Sequence, residues 1–305
     1  QEQSLYPDEI LVVDGSTNSE TRIVLVENTF KNLTYFLVPK EYRGLTRQRN
    51  YGVDKASETS DMIAFVDDDT ELTPNYFEEL VRTFVADKTI FGVGGVALNE
   101  NSWVLAEPNK QYNKYHFFQF DKFVYKEGKR NVVRNYLRLQ SNLEPGKMPD
   151  YSHGRTCGFP LDGKIYKVDL LIGMSFAFRK IVFDSIQFSS YFEGYGLYED
   201  ADFSIRALQF GSNVINTKVQ LNHYHDTSGR PNQYQYGKMV VRNGWYVWRT
   251  KNPTPTFTHQ FKWHSITILL TLIRFSNTFT THKRKQALTE ALGRTVGWWS
   301  LIFNE

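Results

Sequence analysis

Cysteine is nearly absent from this chain of 305 residues, which contains only Cys157. One thiol excludes an internal disulfide and fits a reducing compartment, and without an evident partner it is interpreted as a small buried hydrophobic residue rather than a nucleophile. Membrane-length apolar runs are absent as well. The apolar stretch at residues 263–275 contains Arg274 near its end and is shorter than the roughly 18 residues that a membrane-spanning helix needs.

Acidic residues are scarce in the C-terminal part of the chain. Residues 218–305 contain 12 Lys and Arg against three acidic residues, a charge of +9, whereas the remainder has 24 against 30, a charge of −6. A basic tail on an acidic body indicates an anionic partner for the tail. No recognisable nucleic-acid motif accompanies these charges, so a membrane surface is favoured over nucleic acid.

The tail also has the composition of a helix that lies in a membrane interface, because Lys283, Arg284 and Lys285 stand near Trp298 and Trp299. A dimer interface or core packing explains the same apolar residues. In other respects the composition is ordinary for a globular protein, at 41% hydrophobic and 23% charged, which excludes disorder. The length favours one large α/β domain with an appendage; we expect a catalytic domain at residues 1–230 and a helical, basic extension at 231–305.

The segment Asp67-Asp68-Asp69 follows an apolar run, residues 62–66, that is typical of a buried strand. Three carboxylates at one strand end repel each other, so a divalent cation among them would be stabilising. In an extended chain Asp67 and Asp69 point to one face and Asp68 to the other. Mg²⁺ or Mn²⁺ on two such carboxylates completes its shell with water and substrate phosphates. The sequence therefore predicts a metal–diphosphate site, with an acidic turn that caps a helix from residue 73 as the alternative.

A second acidic segment, Glu199-Asp200-Ala201-Asp202, follows a glycine-containing loop and precedes apolar residues at helical spacing. Glu199 and Asp200 are thus predicted at a helix N-terminus, where the helix dipole favours anions. Taken alone, such residues are usually N-terminal helix charges. The metal site predicted elsewhere in the chain has no general base, and this pair is a candidate for it.

Strand and helix patterns alternate over residues 8–99, which predicts a parallel sheet with helices on both faces. Ligands bind such sheets at the carboxyl ends of the strands, where Asp14 and residues 67–69 are predicted to lie. A further strand at residues 213–221 ends near His223 and His225. Either imidazole is a candidate metal ligand or diphosphate contact, and His223 is the better placed. The aromatic-rich residues 112–125 are predicted to form a helix packed on the domain, with a sugar-stacking platform as the alternative.

Five blocks in a fixed order resemble the family-2 inverting glycosyltransferases, which have the GT-A fold. The blocks extend over roughly residues 5–230. The first three are a strand ending in Asp14-Gly15-Ser16, the helix start Gly44-Leu45-Thr46-Arg47-Gln48-Arg49-Asn50-Tyr51-Gly52, and the Asp67-Asp68-Asp69 strand. The last two are the strand Gly173-Met174-Ser175-Phe176-Ala177-Phe178-Arg179 and the pair Glu199-Asp200. The Asp14 block is one residue shorter than the common family form, so only Asp14 is carried over. The family normally begins with a strand and helix that this chain lacks; residues 1–7 are interpreted as the tail of that helix and the chain as N-terminally incomplete.

The resemblance implies a role for each matching residue. Asp200 is expected to be the catalytic base, with acceptor binding by Glu199 and Asp202, nucleotide binding by Asp14, Arg49 and Asp67, and metal binding by Asp67, Asp69 and His223.

The expected activity is metal-dependent, inverting transfer of a sugar from a nucleoside diphosphate donor to a hydroxyl of a glycan or lipid-linked glycan, with Mn²⁺ or Mg²⁺ as cofactor. The expected location is cytoplasmic, peripheral at the inner face of a membrane. Two alternatives remain open. A sugar-nucleotide pyrophosphorylase shares the fold style and the metal–phosphate chemistry, and a catalytically inactive glycan-binding protein would retain the fold alone.

Overall fold

The structure is a computed structural model that describes residues 2–192, 194–225 and 231–303. The first hundred residues contain, in order, β1 (Ile10–Asp14), α1 (Glu20–Glu27), β2 (Leu33–Leu37), α2 (Leu45–Lys55), β3 (Met62–Val66), β4 (Thr70–Leu72), α3 (Tyr76–Ala86) and β5 (Ile90–Ala97). Three short strands and a helix follow: β6 (Val104–Leu105), β7 (Phe117–Phe120), β8 (Phe123–Lys126) and α4 (Lys129–Tyr136). The remaining elements are β9 (Ile165–Val168), β10 (Ser175–Arg179), α5 (Glu199–Ala207), β11 (Ser212–His223), α6 (Gln233–Lys251), α7 (Phe257–Thr280) and α8 (Arg284–Phe303).

The chain divides into two compact units. The first unit comprises residues 1–100 and 162–226, and the second comprises residues 101–161 and 227–305. The boundary expected after residue 230 falls outside the described residues. Residues 101–161, which the domain prediction assigns to the catalytic domain, pack with the second unit.

The first unit contains a six-stranded sheet whose path is β3-β10-β5-β11-β4, with β9 also paired to β11. Strand β10 is antiparallel to both β3 and β5, so these two run in the same direction, and β11 is parallel to β5. The carboxyl ends of β3, β5 and β11 therefore meet at one edge of the sheet. Strands β1 and β2 form a separate parallel pair.

Helices cover both faces of this sheet. Tyr76 and Leu80 of α3 belong to the same buried cluster as Val93 and Ala177. The next residue along β10, Phe178, points to the opposite face, where its ring lies 4.8 Å from that of Phe203 in α5. The α/β class is thus confirmed, with three principal strands in one direction and helices on both faces.

The second unit contains a small sheet, in the order β6-β8-β7, and the C-terminal helices. The helix predicted for residues 112–125 is wrong, because β7 and β8 form an antiparallel hairpin there. Asp121 takes a left-handed φ of 53° at the turn, and the alternation of large aromatics on either side suits a pleated strand. The interpretation of residues 1–7 as a helix tail is also wrong for residues 2–7, which are not helical.

Helices α6, α7 and α8 confirm the predicted helical C-terminus. Helices α6 and α8 approach closely at Gly237, where an added Cβ would lie 2.2 Å from the carbonyl oxygen of Glu290. In α8 the Glu290 carboxylate is itself buried and contacts the guanidinium groups of Arg274 and Arg294 at 2.7 and 2.8 Å. Among the described residues, no helix is both long and apolar enough to cross a bilayer.

Candidate active site

The carboxyl edge of the sheet in the first unit brings together the residues of the predicted metal site. Asp67 and Asp69 follow β3, and His223 is the last residue of β11. One ligand atom from each of these three residues lies within 4.8 Å of the others, and His223 Nε2 is 3.3 Å from Asp69 Oδ1. Asp68 is exposed and does not belong to this group. The predicted grouping of Asp67 with Asp69, apart from Asp68, agrees with these positions, although residues 68 and 69 form a turn rather than extended chain.

The donors suit a hard divalent cation. Burial raises the pKa of Asp67, Arg49 lowers it, and the like charge of Asp69 raises it again. An added cation would remove the repulsion between the two carboxylates. Two carboxylate oxygens and one imidazole nitrogen form a donor set that Mn²⁺ accepts readily and Mg²⁺ also accepts, usually with water and phosphate oxygens as further ligands.

Arg49 of α2 connects the acidic residues to one another. Its side chain is 8% exposed. One terminal nitrogen donates to Glu199 Oε1, and the other lies 3.3 Å from both Asp67 Oδ1 and the carbonyl oxygen of Gly173. The guanidinium also lies over the ring of Phe176, at 4.9 Å from its centroid. Arg49 thus links α2, the end of β3, the chain before β10 and the start of α5.

Glu199 is buried beneath this arginine. Burial raises the pKa of Glu199 to about 8, although Arg49 lowers it and Asp200 raises it further. Among the described residues, none donates a hydrogen bond to its second oxygen, Oε2. Gly173 makes the close approach possible, because a Cβ there would lie 3.2 Å from Glu199 Oε1 and 3.3 Å from the Arg49 guanidinium.

Asp200 occupies a different position from its neighbours. Its Oδ2 accepts a hydrogen bond of 2.9 Å from the Gly173 N–H, and its Oδ1 accepts one of 2.8 Å from the Ala201 N–H. The side chain is half-buried. Because each carboxylate oxygen can accept two hydrogen bonds, both oxygens retain capacity for a hydroxyl group while the backbone fixes their orientation.

Asp202 is not presented to a substrate. Its side chain is 1% exposed in the ion-pair geometry, and its Oδ2 accepts hydrogen bonds from Arg206 at 2.6 and 2.9 Å. Glu199 is likewise 4% exposed. The acceptor-binding roles expected for Glu199 and Asp202 therefore do not fit this geometry, which gives both carboxylates a structural role on the buried side of α5.

Asp14 lies at the end of β1, as predicted, and its carboxylate is oriented by neighbours. Oδ1 accepts from the Ser16 N–H at 2.7 Å and Oδ2 from the Tyr35 hydroxyl at 2.8 Å. Burial raises the pKa of Asp14, but hydrogen bonds from Ser16, Tyr35 and Thr21 outweigh that effect and hold it below its ordinary value. Asp14 is thus an oriented, ionised acceptor, which is what recognition of a ribose hydroxyl or nucleobase donor requires.

The sequence patterns did not predict two residues at this edge of the sheet, Asn99 and Glu100. Asn99 and Glu100 follow β5 and contact His223: the Asn99 side chain bonds the His223 backbone, and Glu100 Oε1 lies 2.8 Å from His223 Nδ1. Glu100 also lies 2.7 Å from Nε2 of His225. An apolar residue, Leu98, lies between β5 and Asn99, and Glu100 is a single acid that belongs to no motif.

Comparison with known proteins agrees with the motif order over the first half of the chain. Residues 1–144 match the family model described as Glycosyl transferase family 2. The resemblance to that family is confirmed over this segment, which includes Asp14, Arg49, Asp67 and Asp69 and ends before Asp200. A search of curated proteins finds no match.

Many chains of solved structures match this chain. One of them is a crystal structure of GalNAc-T7 with UDP, GalNAc and Mn²⁺, 16% identical, with a TM-score of 0.46. The alignment covers 77% of this chain and 42% of that one, so this chain spans less than half the length of its neighbour. A likeness at this level does not decide fold or activity.

Replacing Arg49 tests its role as the buried counter-ion of the site. In Arg49→Met, Glu199 stays buried without its cation, which costs about 3–5 kcal/mol of unfolding free energy once Glu199 is ionised. The pKa of Glu199, raised to about 8 by burial, rises further without Arg49. A buried acid with a raised pKa loses stability as pH rises from its unfolded to its folded pKa. The free energy of unfolding of the variant, measured in urea, should therefore fall further below that of the wild type as pH rises above about 8.

Two control variants accompany that measurement. Lys110→Met removes an exposed pair with Glu107 and should cost less than about 1 kcal/mol at every pH. Arg49→Met combined with Glu199→Gln, measured against Glu199→Gln alone, should show a difference in unfolding free energy that does not change with pH above about 8. If the difference in unfolding free energy between wild type and Arg49→Met stays constant from acid to alkaline pH, Arg49 is not the counter-ion of Glu199.

Proposed function

We propose that this protein is a metal-dependent inverting glycosyltransferase that moves a sugar from a nucleoside diphosphate donor to a hydroxyl of a glycan acceptor. The observation that carries the proposal is the convergence of Asp67, Asp69 and His223 at the sheet edge, with Asp200 close enough to raise the pKa of Asp67. The family match over residues 1–144 supports glycosyl transfer. A diphosphate-binding cation site beside an oriented carboxylate is the arrangement that such a transfer needs.

The donor end of the site would be held by three kinds of contact. Asp67, Asp69 and His223 would hold Mn²⁺ or Mg²⁺, which when bound neutralises charge on the departing diphosphate. Asp14 would accept a hydrogen bond from the ribose or base. Arg49, expected from the motif to bind nucleotide, has its guanidinium occupied by Glu199, Asp67 and Gly173, so we assign it to holding the carboxylates in place.

The acceptor end depends on Asp200. Its carboxylate takes the proton of the acceptor hydroxyl as the oxygen forms a bond to the anomeric carbon. The bond from that carbon to the diphosphate oxygen breaks on the opposite face, and the nucleoside diphosphate leaves with the electron pair. Attack opposite the leaving group inverts the anomeric configuration. The Gly173 and Ala201 N–H groups keep the carboxylate oriented throughout.

Removing the metal tests the donor end. EDTA should abolish transfer, and Mn²⁺ or Mg²⁺ should restore it. Thermal-shift titration with a panel of nucleoside diphosphates should show stabilisation that requires Mn²⁺ in the wild-type chain and is lost in Asp69→Ala. Asp68→Ala is the matched control, because Asp68 is exposed and outside the donor group, and it should behave as wild type. Full transfer in EDTA would reject the metal site.

Replacing the base tests the acceptor end. Asp200→Asn keeps the size of the side chain but cannot accept a proton, so turnover should fall by about 10²–10⁴-fold with nucleotide affinity unchanged. Asp202→Asn should instead lower the melting temperature, because it weakens the buried pair with Arg206, and leave the turnover of the folded fraction within a few-fold of wild type. A catalytic loss confined to Asp202→Asn would show that the base is the other carboxylate.

We also propose that the second unit contacts an anionic membrane surface from the cytoplasmic side. Helix α7 carries five exposed apolar residues on one stripe: Phe257 at 81%, Phe261 at 63%, Ile268 at 40%, Leu272 at 58% and Phe279 at 82%. At 100° per residue they fall within an arc of about 60°. Lys283, Arg284 and Lys285, all exposed, follow the end of this helix. Exposed aromatics beside basic residues favour the interface of an anionic bilayer.

Vesicle binding tests the membrane proposal. Changing Phe257, Phe261 and Phe279 to Ser should sharply reduce co-sedimentation with vesicles that contain anionic lipid, and reversing the charges of Lys283, Arg284 and Lys285 should do the same. High salt should weaken binding of the wild type. Val85→Ser, which changes an exposed apolar residue of the first unit, should have no effect. Unchanged vesicle binding with a shift from dimer to monomer in the Ser variant would identify the stripe as a protein interface.

A further inference from the structure

His223 is held at two points by consecutive residues that follow β5. The Asn99 side chain accepts a hydrogen bond of 3.0 Å from the His223 N–H and donates one of 2.7 Å to its carbonyl oxygen. The next residue, Glu100, places Oε1 2.8 Å from ring nitrogen Nδ1. Both the backbone and the ring of His223 are therefore fixed from one short segment at the sheet edge.

The contact with Glu100 determines which ring nitrogen faces the aspartates. An ionised carboxylate only accepts hydrogen bonds, so Nδ1 must carry the hydrogen. The neutral ring then presents the lone pair of Nε2, and this atom lies 3.3 Å from Asp69 Oδ1. His225 Nε2 reaches the same Glu100 oxygen at 2.7 Å, so the carboxylate is bracketed by two imidazoles.

We propose that Glu100 is a positioning residue that orients His223 for metal binding. The inference rests on the metal site of the proposed function and extends it by a residue outside the matched motifs. A carboxylate on the far nitrogen of a metal-binding histidine fixes the tautomer, orients the ring and makes the ligand nitrogen more basic. Glu100 acts through His223 and contributes no ligand atom of its own to the Asp67–Asp69 site.

Direct titration of the full chain with Mn²⁺ alone tests this role without reference to activity. Electron paramagnetic resonance measures free Mn²⁺, and Glu100→Ala should weaken binding by about 10–100-fold, the usual effect of losing such a partner. Glu100→Gln keeps an oxygen that can accept the Nδ1 hydrogen and should lose less. Glu71→Gln is the matched control: Glu71 is exposed at the same edge and contacts Tyr224 rather than a histidine, and it should bind as wild type.

A spectroscopic signature separates orientation from general loss of structure. Electron spin-echo modulation should show imidazole nitrogen coupled to bound Mn²⁺ in wild type and in Glu71→Gln, and a weaker coupling in Glu100→Ala at saturating Mn²⁺. Equal affinity and equal coupling in wild type and Glu100→Ala would overturn the proposal. A second bound Mn²⁺ that disappears in Glu100→Ala would also overturn it, by showing that Glu100, His223 and His225 hold their own cation.

The same measurements distinguish failure of this inference from failure of the proposed function. A wild-type chain that binds no Mn²⁺ would reject the metal site and Glu100 with it. Mn²⁺ binding that depends on Glu100, in a chain that transfers no sugar from any nucleotide donor, would reject the transferase assignment and leave the positioning role intact.

Discussion

The buried guanidinium of Arg49 is the interaction on which the rest of this site depends. The carboxylates of Asp67, Asp69, Glu199 and Asp200 lie around the sheet edge and the start of α5. Asp67 and Glu199 both contact Arg49. Without a cation, burial at Glu199 would be costly, since an unpaired buried charge destabilises a fold by several kcal/mol. Arg49 reaches both carboxylates because α2 begins directly after the Gly44 loop and points this residue inward, where Phe176 and Phe188 enclose it.

One arginine carries a single positive charge and cannot neutralise four carboxylates, and its contacts with them are unequal. Glu199 is satisfied on one oxygen by Arg49, whereas Asp67 is shared between Arg49 and the charge of Asp69. Asp69 lies toward the end of β11, where His223 Nε2 is 3.3 Å from its Oδ1. In the proposed function, a divalent cation held by Asp67, Asp69 and His223 would offset the repulsion between the two aspartates. In the proposed function, the same group of carboxylates would serve both the stability of the fold and the binding of the donor diphosphate.

The sequence predicts that Asp67, Asp69 and His223 lie close together, because two regularities are sufficient. Polar residues follow apolar strands, and the carboxyl ends of these strands share one edge of the sheet. The sequence did not predict the strands at residues 117–126, because aromatic residues pack well in either a helix or a hairpin and the left-handed Asp121 decided the outcome. It missed Glu100 because a single acid after a strand has no motif. The contact of Glu100 with His223 depends on the pairing of β5 with β11, which places the ends of these two strands together.

Helical periodicity alone separates the three acidic residues in the first turn of α5. At 100° per residue, Glu199 and Asp202 lie about 60° apart on the helix, whereas Asp200 lies about 160° from Asp202. If the shared face is buried, Asp200 must lie away from it. Arg206, four residues after Asp202, marks that face by pairing with Asp202. The surroundings of the three side chains therefore differ. Glu199 and Asp202 are buried against Arg49 and Arg206, whereas Asp200 is held by backbone N–H groups and can accept further hydrogen bonds. In the proposed reaction, Asp200 would therefore be the carboxylate that takes the proton of the acceptor hydroxyl.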